Sequence, residues 1–217
     1  MTAQALLYRG SVKDLYAADG ELLFVYSDRY SVYDWGEMPD AIPHKGAALA
    51  SLAAAASELG IQATEAYART QQTETPVLLV DVRDPVEIMF VGGTDVADIN
   101  IPFLLVDRSQ WNEERGVFRM APNPDFVAQV RAELASRNLP ENTEVITMCR
   151  SGSERGKPSA ELLQSAGLNA RYIVHGFQGD AIKDGEQAGL RLLNGWQNSG
   201  LPWGQLSADK FYRPDVQ

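Results

Sequence analysis

The sequence contains a single cysteine, Cys149, in 217 residues. An internal disulfide is therefore excluded, and so is any Cys-x-x-Cys metal or redox pair. Histidine is almost as scarce. With only His44 and His175 beside one cysteine, no structural zinc site is expected, and no motif in the chain calls for a cofactor. Positive charge is in deficit: 19 Lys and Arg stand against 29 Asp and Glu, a formal net charge of −10. A general nucleic-acid binder or a binder of anionic membranes needs a basic face, so neither partner is expected. No apolar run approaches the ~18 residues of a membrane span. The opening MTAQALLYRGSVKD has no basic segment leading into an apolar core, which speaks against a secretory signal and for a cytoplasmic protein.

The remaining composition is that of a folded globular chain, 45% hydrophobic and 22% charged. Its length suits one large domain, or an ordinary domain with a small one attached. Within such a chain a lone cysteine is either an inert buried residue or a reactive thiol.

The first 60 residues differ from the rest. Short β-rich runs (LLYRG, SVKDLYA, ELLFVYS) are separated by Gly10 and by Asp19-Gly20, and Asp-Gly between such runs signals a hairpin. Residues 5–27 read as a small antiparallel sheet and residues 28–44 as irregular. The alanine-rich stretch from Lys45 reads as a helix closed by Gly60. From Ile61 onward strands and helices alternate. Helices are expected at EAYARTQQ (65–72), NPDFVAQVRAELASRN (123–138) and SAELLQSAG (159–167). Buried strands are expected at VLLVD (77–81) and EVITM (144–148), and a third strand running into a loop at RYIVHGF (171–177). This alternation predicts an α/β fold with a parallel sheet. The Gly-, Pro- and Trp-rich tail reads as irregular, with Trp196 and Trp203 covering the core.

Cys149 follows the strand EVITM and opens the loop CRSGSERG, which leads into a helix. Ligands of open α/β sheets bind beyond the carboxyl ends of strands. A loop wrapping there aims successive N–H groups inward, and the helix dipole adds partial positive charge. Arg150 and Arg155 bring two full charges. All three effects favour thiolate over thiol, so the sequence points to a reactive residue.

VLLVDVRDPVE, DINIP (98–102), CRSGSER, GFQGD (176–180) and NGWQNSGLPW (194–203) occur in that order. Together they resemble the rhodanese superfamily over residues 61–214. The resemblance implies a rhodanese-like parallel sheet flanked by helices, and sulfur transfer through a Cys149 persulfide. It implies a small anionic sulfur donor such as thiosulfate, and a thiol or cyanide acceptor. Arg150, Ser151, Gly152, Ser153, Glu154 and Arg155 would bind the donor and the persulfide, with Arg150 and Arg155 on the sulfonate end. Asp81 and Arg83, matching the family's DVR motif, would support the loop.

One departure leaves alternatives open. Five residues separate Cys149 from Arg155, one more than in the usual bacterial loop. That C-x5-R spacing resembles the rhodanese-fold phosphatases and arsenate reductases, in which Arg155 would clamp a tetrahedral oxyanion. Glu154 matches those phosphatases, whereas Met148 stands where they usually carry histidine. A non-catalytic binding module is the third reading.

RGSVKDLY, SDRYSVYDW and PHKG resemble the N-terminal lobe of SAICAR synthetase, over residues 5–55. The resemblance places Gly10, Ser11, Lys13 and Lys45 at nucleotide-contacting positions. The larger substrate lobe of that ligase has no counterpart after residue 60, so no ligase activity is expected. The segment reads as a reused β-sheet, a packing surface or a homodimer contact. The domain division expected is 1–60 and 61–217.

Overall fold

The computed structural model describes residues 59–206 in full, together with the backbone of five short strands between residues 5 and 37. The chain divides into two compact units, Met1–Ser57 and Glu58–Gln217.

In the first unit β1 (Ala5–Arg9), β2 (Lys13–Ala18) and β3 (Glu21–Tyr26) form an antiparallel sheet in that order. The ladder pairs Ala18 with Glu21. The Asp19-Gly20 turn between them lies outside the described residues, as do Gly10, Ser11, His44, Lys45 and the alanine-rich helix. Lys13 opens β2. Within the stretch read as irregular, β4 (Ser31–Val32) pairs with β5 (Gly36–Glu37).

The second unit is built on a five-stranded, all-parallel sheet. Its strands are β6 (Gly60–Ile61), β7 (Val77–Asp81), β8 (Ile99–Asn100), β11 (Glu144–Met148) and β12 (Ala170–Ile173). They lie in the order β6-β12-β11-β7-β8. β11 and β7 are central, which is why VLLVD and EVITM read as unbroken apolar runs: Leu78, Leu79, Val80, Val145 and Ile146 are all fully buried. Helices α1 (Ala63–Thr70), α2 (Pro85–Val91), α3 (Phe126–Ser136) and α4 (Gly156–Ser165) complete the unit. This is the expected architecture, a parallel sheet with helices and a small antiparallel sheet ahead of it in sequence.

The structure sharpens three local expectations. Gly60, read as a helix cap, starts the edge strand β6, with Tyr172 as its partner. The strand expected to run into a loop within 171–177 is fixed in its end: it stops at Ile173, and His175 and Gly176 both take positive φ (66° and 57°) and turn the chain. An unforeseen hairpin, β9 (Leu104–Asn112) with β10 (Val117–Pro122), stands out from the unit.

Register places the two motif-bearing strands level. Met148 is paired with Asp81, and the Val82 amide donates to the Met148 carbonyl at 2.9 Å. The turns after β7 and β11 therefore leave the sheet side by side at its carboxyl edge.

Candidate active site

Cys149 sits where β11 gives way to its loop and is 1% exposed. Its Sγ accepts the Gly152 amide at 3.1 Å, so the loop curls back on the sulfur. The curl is closed from the other side, where the Gly152 carbonyl accepts the Lys157 amide at 2.9 Å. Thr147 and Ser159 hydroxyls both donate to the Gly156 carbonyl, at 2.9 and 2.8 Å, and fix the start of α4 beneath the sulfur.

The following turn forms the other wall. The Phe177 amide donates to the Cys149 carbonyl at 2.7 Å, and the Gln178 amide to the Arg150 carbonyl at 2.8 Å. This close stacking needs glycine. At Gly176, with φ +57°, a Cβ would lie 2.1 Å from the Cys149 carbonyl oxygen. At Gly152, with φ +87°, it would lie 2.7 Å from the His175 nitrogen. The tail then clamps the turn. The Trp196 and Gln197 amides donate to the Gly176 and Phe177 carbonyls, each at 2.9 Å. Trp196 is fully buried against Tyr67, whereas Trp203 is half exposed, with its ring edge-on to Phe177.

Asp81 and Arg83 form a buried pair at 0% and 1% exposure. Arg83 Nη2 lies 2.5 Å from Asp81 Oδ2, and its Nε is 3.0 Å from both carboxylate oxygens. The guanidinium stacks 4.2 Å from the Phe177 ring centre. A chain of contacts thus runs from Asp81 through Arg83 and Phe177 to the Cys149 carbonyl.

The sequence singled out no role for Glu87, yet it is the partner of Arg155. Both terminal nitrogens of Arg155 donate to its two carboxylate oxygens, Nη2 to Oε2 at 2.9 Å. Burial works against ionisation of Glu87, but the Arg155 hydrogen bond overcomes it and holds the carboxyl below its ordinary range. Burial likewise opposes the Arg155 charge, and Glu87 outweighs it. Glu87 is set by helix capping: Asp84 caps α2, Pro85 starts it, and Glu87 closes a capping box. The D-x-x-E pattern in DVRDPVE was the available signal.

The other loop residues face solvent to different degrees. Arg150 and Ser153 are exposed and Ser151 is half-buried. The Glu154 side chain is 69% exposed and pairs with Arg115 of the hairpin at 3.6 Å. His175 Nδ1 lies 2.6 Å from Asp180 Oδ2, a hydrogen bond that lowers the Asp180 pKa. Arg191, in the segment read as irregular, sends Nη1 to the Gly179 carbonyl. Burial and then repulsion from Arg150 hold its pKa below the ordinary value, against attraction from Asp180, Glu154 and Cys149. A separate cleft of about 460 Å³, lined by Arg69, Val77, Pro140 and Glu144 among others, opens at the amino ends of the strands, opposite Cys149. Among the described residues there is no cluster suited to a metal ion, and no helix is long and apolar enough to cross a membrane.

Comparison with known proteins gives two kinds of match, the first of which crosses the boundary between the units. A family model for SAICAR synthetase matches residues 6–90. Phosphoribosylaminoimidazole-succinocarboxamide synthases of Salinispora arenicola and Thermobifida fusca are each 51% identical over 47 residues. Those matches take in 22% and 21% of this chain, and the chain spans only 17% and 15% of the relatives' own length. Among solved structures, Rv0390 from M. tuberculosis is 29% identical, covering 68% of this chain and 97% of that one, at a TM-score of 0.49. A rhodanese-related protein from Thermoplasma volcanium is 20% identical, covering 68% and 99%, at a TM-score of 0.39. The N-terminal part of the chain is thus similar to SAICAR synthetase.

Proposed function

We propose that the α/β unit is a sulfurtransferase with Cys149 as its nucleophile. The observation that carries this reading is the sulfur's setting. Cys149 Sγ lies at the carboxyl end of a central parallel strand, within a loop that turns the Gly152 amide onto it. A buried core cysteine needs no such loop, whereas a persulfide anion does.

The chemistry balances as follows. The Cys149 thiolate attacks the outer sulfur of thiosulfate, the S–S bond of the donor breaks, and sulfite leaves with the bonding pair. Cys149 now carries one extra sulfur as a persulfide anion, which the loop amides stabilise. An acceptor thiolate, or cyanide, attacks the terminal sulfur. The Cys149 thiolate is released, with thiocyanate or the acceptor persulfide as product. With one cysteine in the chain, the acceptor must be external to it.

The test is mass spectrometry of the full chain after incubation with thiosulfate, paired with a thiocyanate assay. The expected result is one added sulfur on Cys149 and thiocyanate formation, both lost in Cys149→Ser. Absence of both in the wild type would refute the proposal. Aryl phosphate hydrolysis or arsenate reduction, lost in Cys149→Ser, would replace it with the oxyanion reading, and function surviving Cys149→Ala with the binding-module reading.

A further inference from the structure

Three arginines surround the Cys149 loop, and their hydrogen bonds divide them. Arg155 has both terminal nitrogens committed to Glu87, so its charge is neutralised by α2. It ties the loop to the DVRDPVE segment. Arg150 is different. Its carbonyl is held by the Gln178 and Gly179 amides at 2.8 and 3.3 Å, while its exposed guanidinium has no hydrogen bond or ion pair among the described residues.

Arg191 reaches the same place from the tail. Its own carbonyl is held by Asn198 Nδ2 at 3.2 Å, which fixes the backbone. One terminal nitrogen donates to the Gly179 carbonyl, and no carboxylate bonds it among the described residues. A guanidinium has five N–H donors, so most of its capacity is unused. Gly179 is the bridge: its N–H meets the Arg150 carbonyl and its C=O meets Arg191. The Arg150 backbone and the Arg191 guanidinium thus meet at one glycine beside the Cys149 loop, and burial together with repulsion from Arg150 lowers the Arg191 pKa. The nearby acids form their hydrogen bonds and ion pairs elsewhere, Asp180 with His175 and Asn194 and Glu154 with Arg115, while attracting Arg191 from a distance. Two guanidinium groups that share no carboxylate hydrogen bond are an arrangement a small dianion relieves.

We propose that Arg191, acting with Arg150, is the anion-gripping residue of the Cys149 site, while Arg155 serves only to hold the loop. The charged end of a thiosulfate-like donor would lie between the Arg150 and Arg191 guanidinium groups, leaving its outer sulfur toward Cys149. The donor's identity rests on the sulfurtransferase reading; the grip itself does not.

The test uses the full chain and two alkylating agents of similar size, anionic iodoacetate and neutral iodoacetamide. Wild type, Arg191→Gln and Arg191→Lys are compared for the rate of Cys149 modification. Removing one charge at this range is expected to lower the iodoacetate-to-iodoacetamide rate ratio about three- to tenfold in Arg191→Gln. Arg191→Lys should stay within about twofold of wild type, since Lys also binds anions as a point charge. Raising salt should lower the wild-type ratio and change it little in Arg191→Gln, because the steering charge is gone. KM for thiosulfate should rise by a similar factor with kcat largely kept. An unchanged ratio in Arg191→Gln would overturn the proposal. So would equal slowing by both reagents, since that outcome assigns Arg191 a structural role at Gly179. A lowered ratio in a protein that transfers no sulfur would keep the grip and remove the sulfurtransferase reading.

Discussion

Replacing Glu87 by Gln tests whether the Arg155–Glu87 pair holds the loop. The change keeps the shape of the side chain and the capping position on α2, and removes the charge that neutralises Arg155. Removing one partner of a fully buried pair costs about 3–5 kcal/mol, because the other charge is stranded. Arg155 is nearly buried at 9% exposure, but the Glu87 side chain is 26% exposed, so water screens part of the loss. A cost of about 2 kcal/mol follows. For a unit of this size that is a fall of about 4–8 °C in Tm. The readout is urea unfolding followed by tryptophan fluorescence, because three of the four tryptophans (Trp111, Trp196 and Trp203) belong to the α/β unit.

The pH dependence has a definite sign. Against the effect of burial, the Arg155 guanidinium holds the folded-state pKa of Glu87 below its ordinary value of 4.5. The stabilisation is therefore complete above that value and disappears as pH falls through the lower, folded-state pKa. The gap between wild type and Glu87→Gln should be full at neutral pH and should close in acid. Arg155 stays protonated across this range and contributes no titration there. A double-mutant cycle with Arg155→Met isolates the pair. A coupling below about 0.5 kcal/mol at neutral pH, or a gap that widens in acid, would refute the assignment of Arg155 to loop anchoring.

Two further perturbations probe the walls of the site. Asp81→Ala strands Arg83 at 1% exposure and should cost about 3–5 kcal/mol, lowering the urea midpoint and slowing persulfide formation by loosening Phe177 from Cys149; a cost below about 1 kcal/mol would show that the pair supports nothing. Gly176→Ala should be more damaging than Gly185→Ala, although both positions have positive φ, because a Cβ at 176 meets the Cys149 carbonyl at 2.1 Å while none at 185 meets anything within 4 Å. Unfolding curves should show about 1 kcal/mol lost at 185 and at least about 2 kcal/mol more at 176, and equal losses would remove the argument that Gly176 is required by close packing.

The central strands could be read because burial on both faces leaves an unbroken apolar run. The hairpin β9–β10 left no such trace: Arg108, Ser109, Gln110 and Trp111 are all exposed, as are Val117, Phe118 and Arg119. With no buried face it has no alternation to detect. The loop after the third strand was legible in RYIVHGF, but its exact start after Ile173 was not, because the close approach of Gly176 to the Cys149 carbonyl is a contact between segments distant in sequence.

The division of labour among the arginines shows where reading a motif stops. Local spacing puts Arg150 and Arg155 beside Cys149 and counts both as charges for an anion. The fold pairs Arg155 with Glu87, 68 residues earlier, and brings in Arg191 from the tail. Charge available to a substrate is what is left after ion pairs are subtracted, and those pairs are long-range. Here Arg155 is taken by Glu87, Glu154 by Arg115 and Asp180 by His175. Arg150 and Arg191 are left, the first held at its backbone and the second at its guanidinium by Gly179. An acidic protein can thus present a local pair of positive charges to a small anion, at a position set by backbone hydrogen bonds between segments distant in sequence.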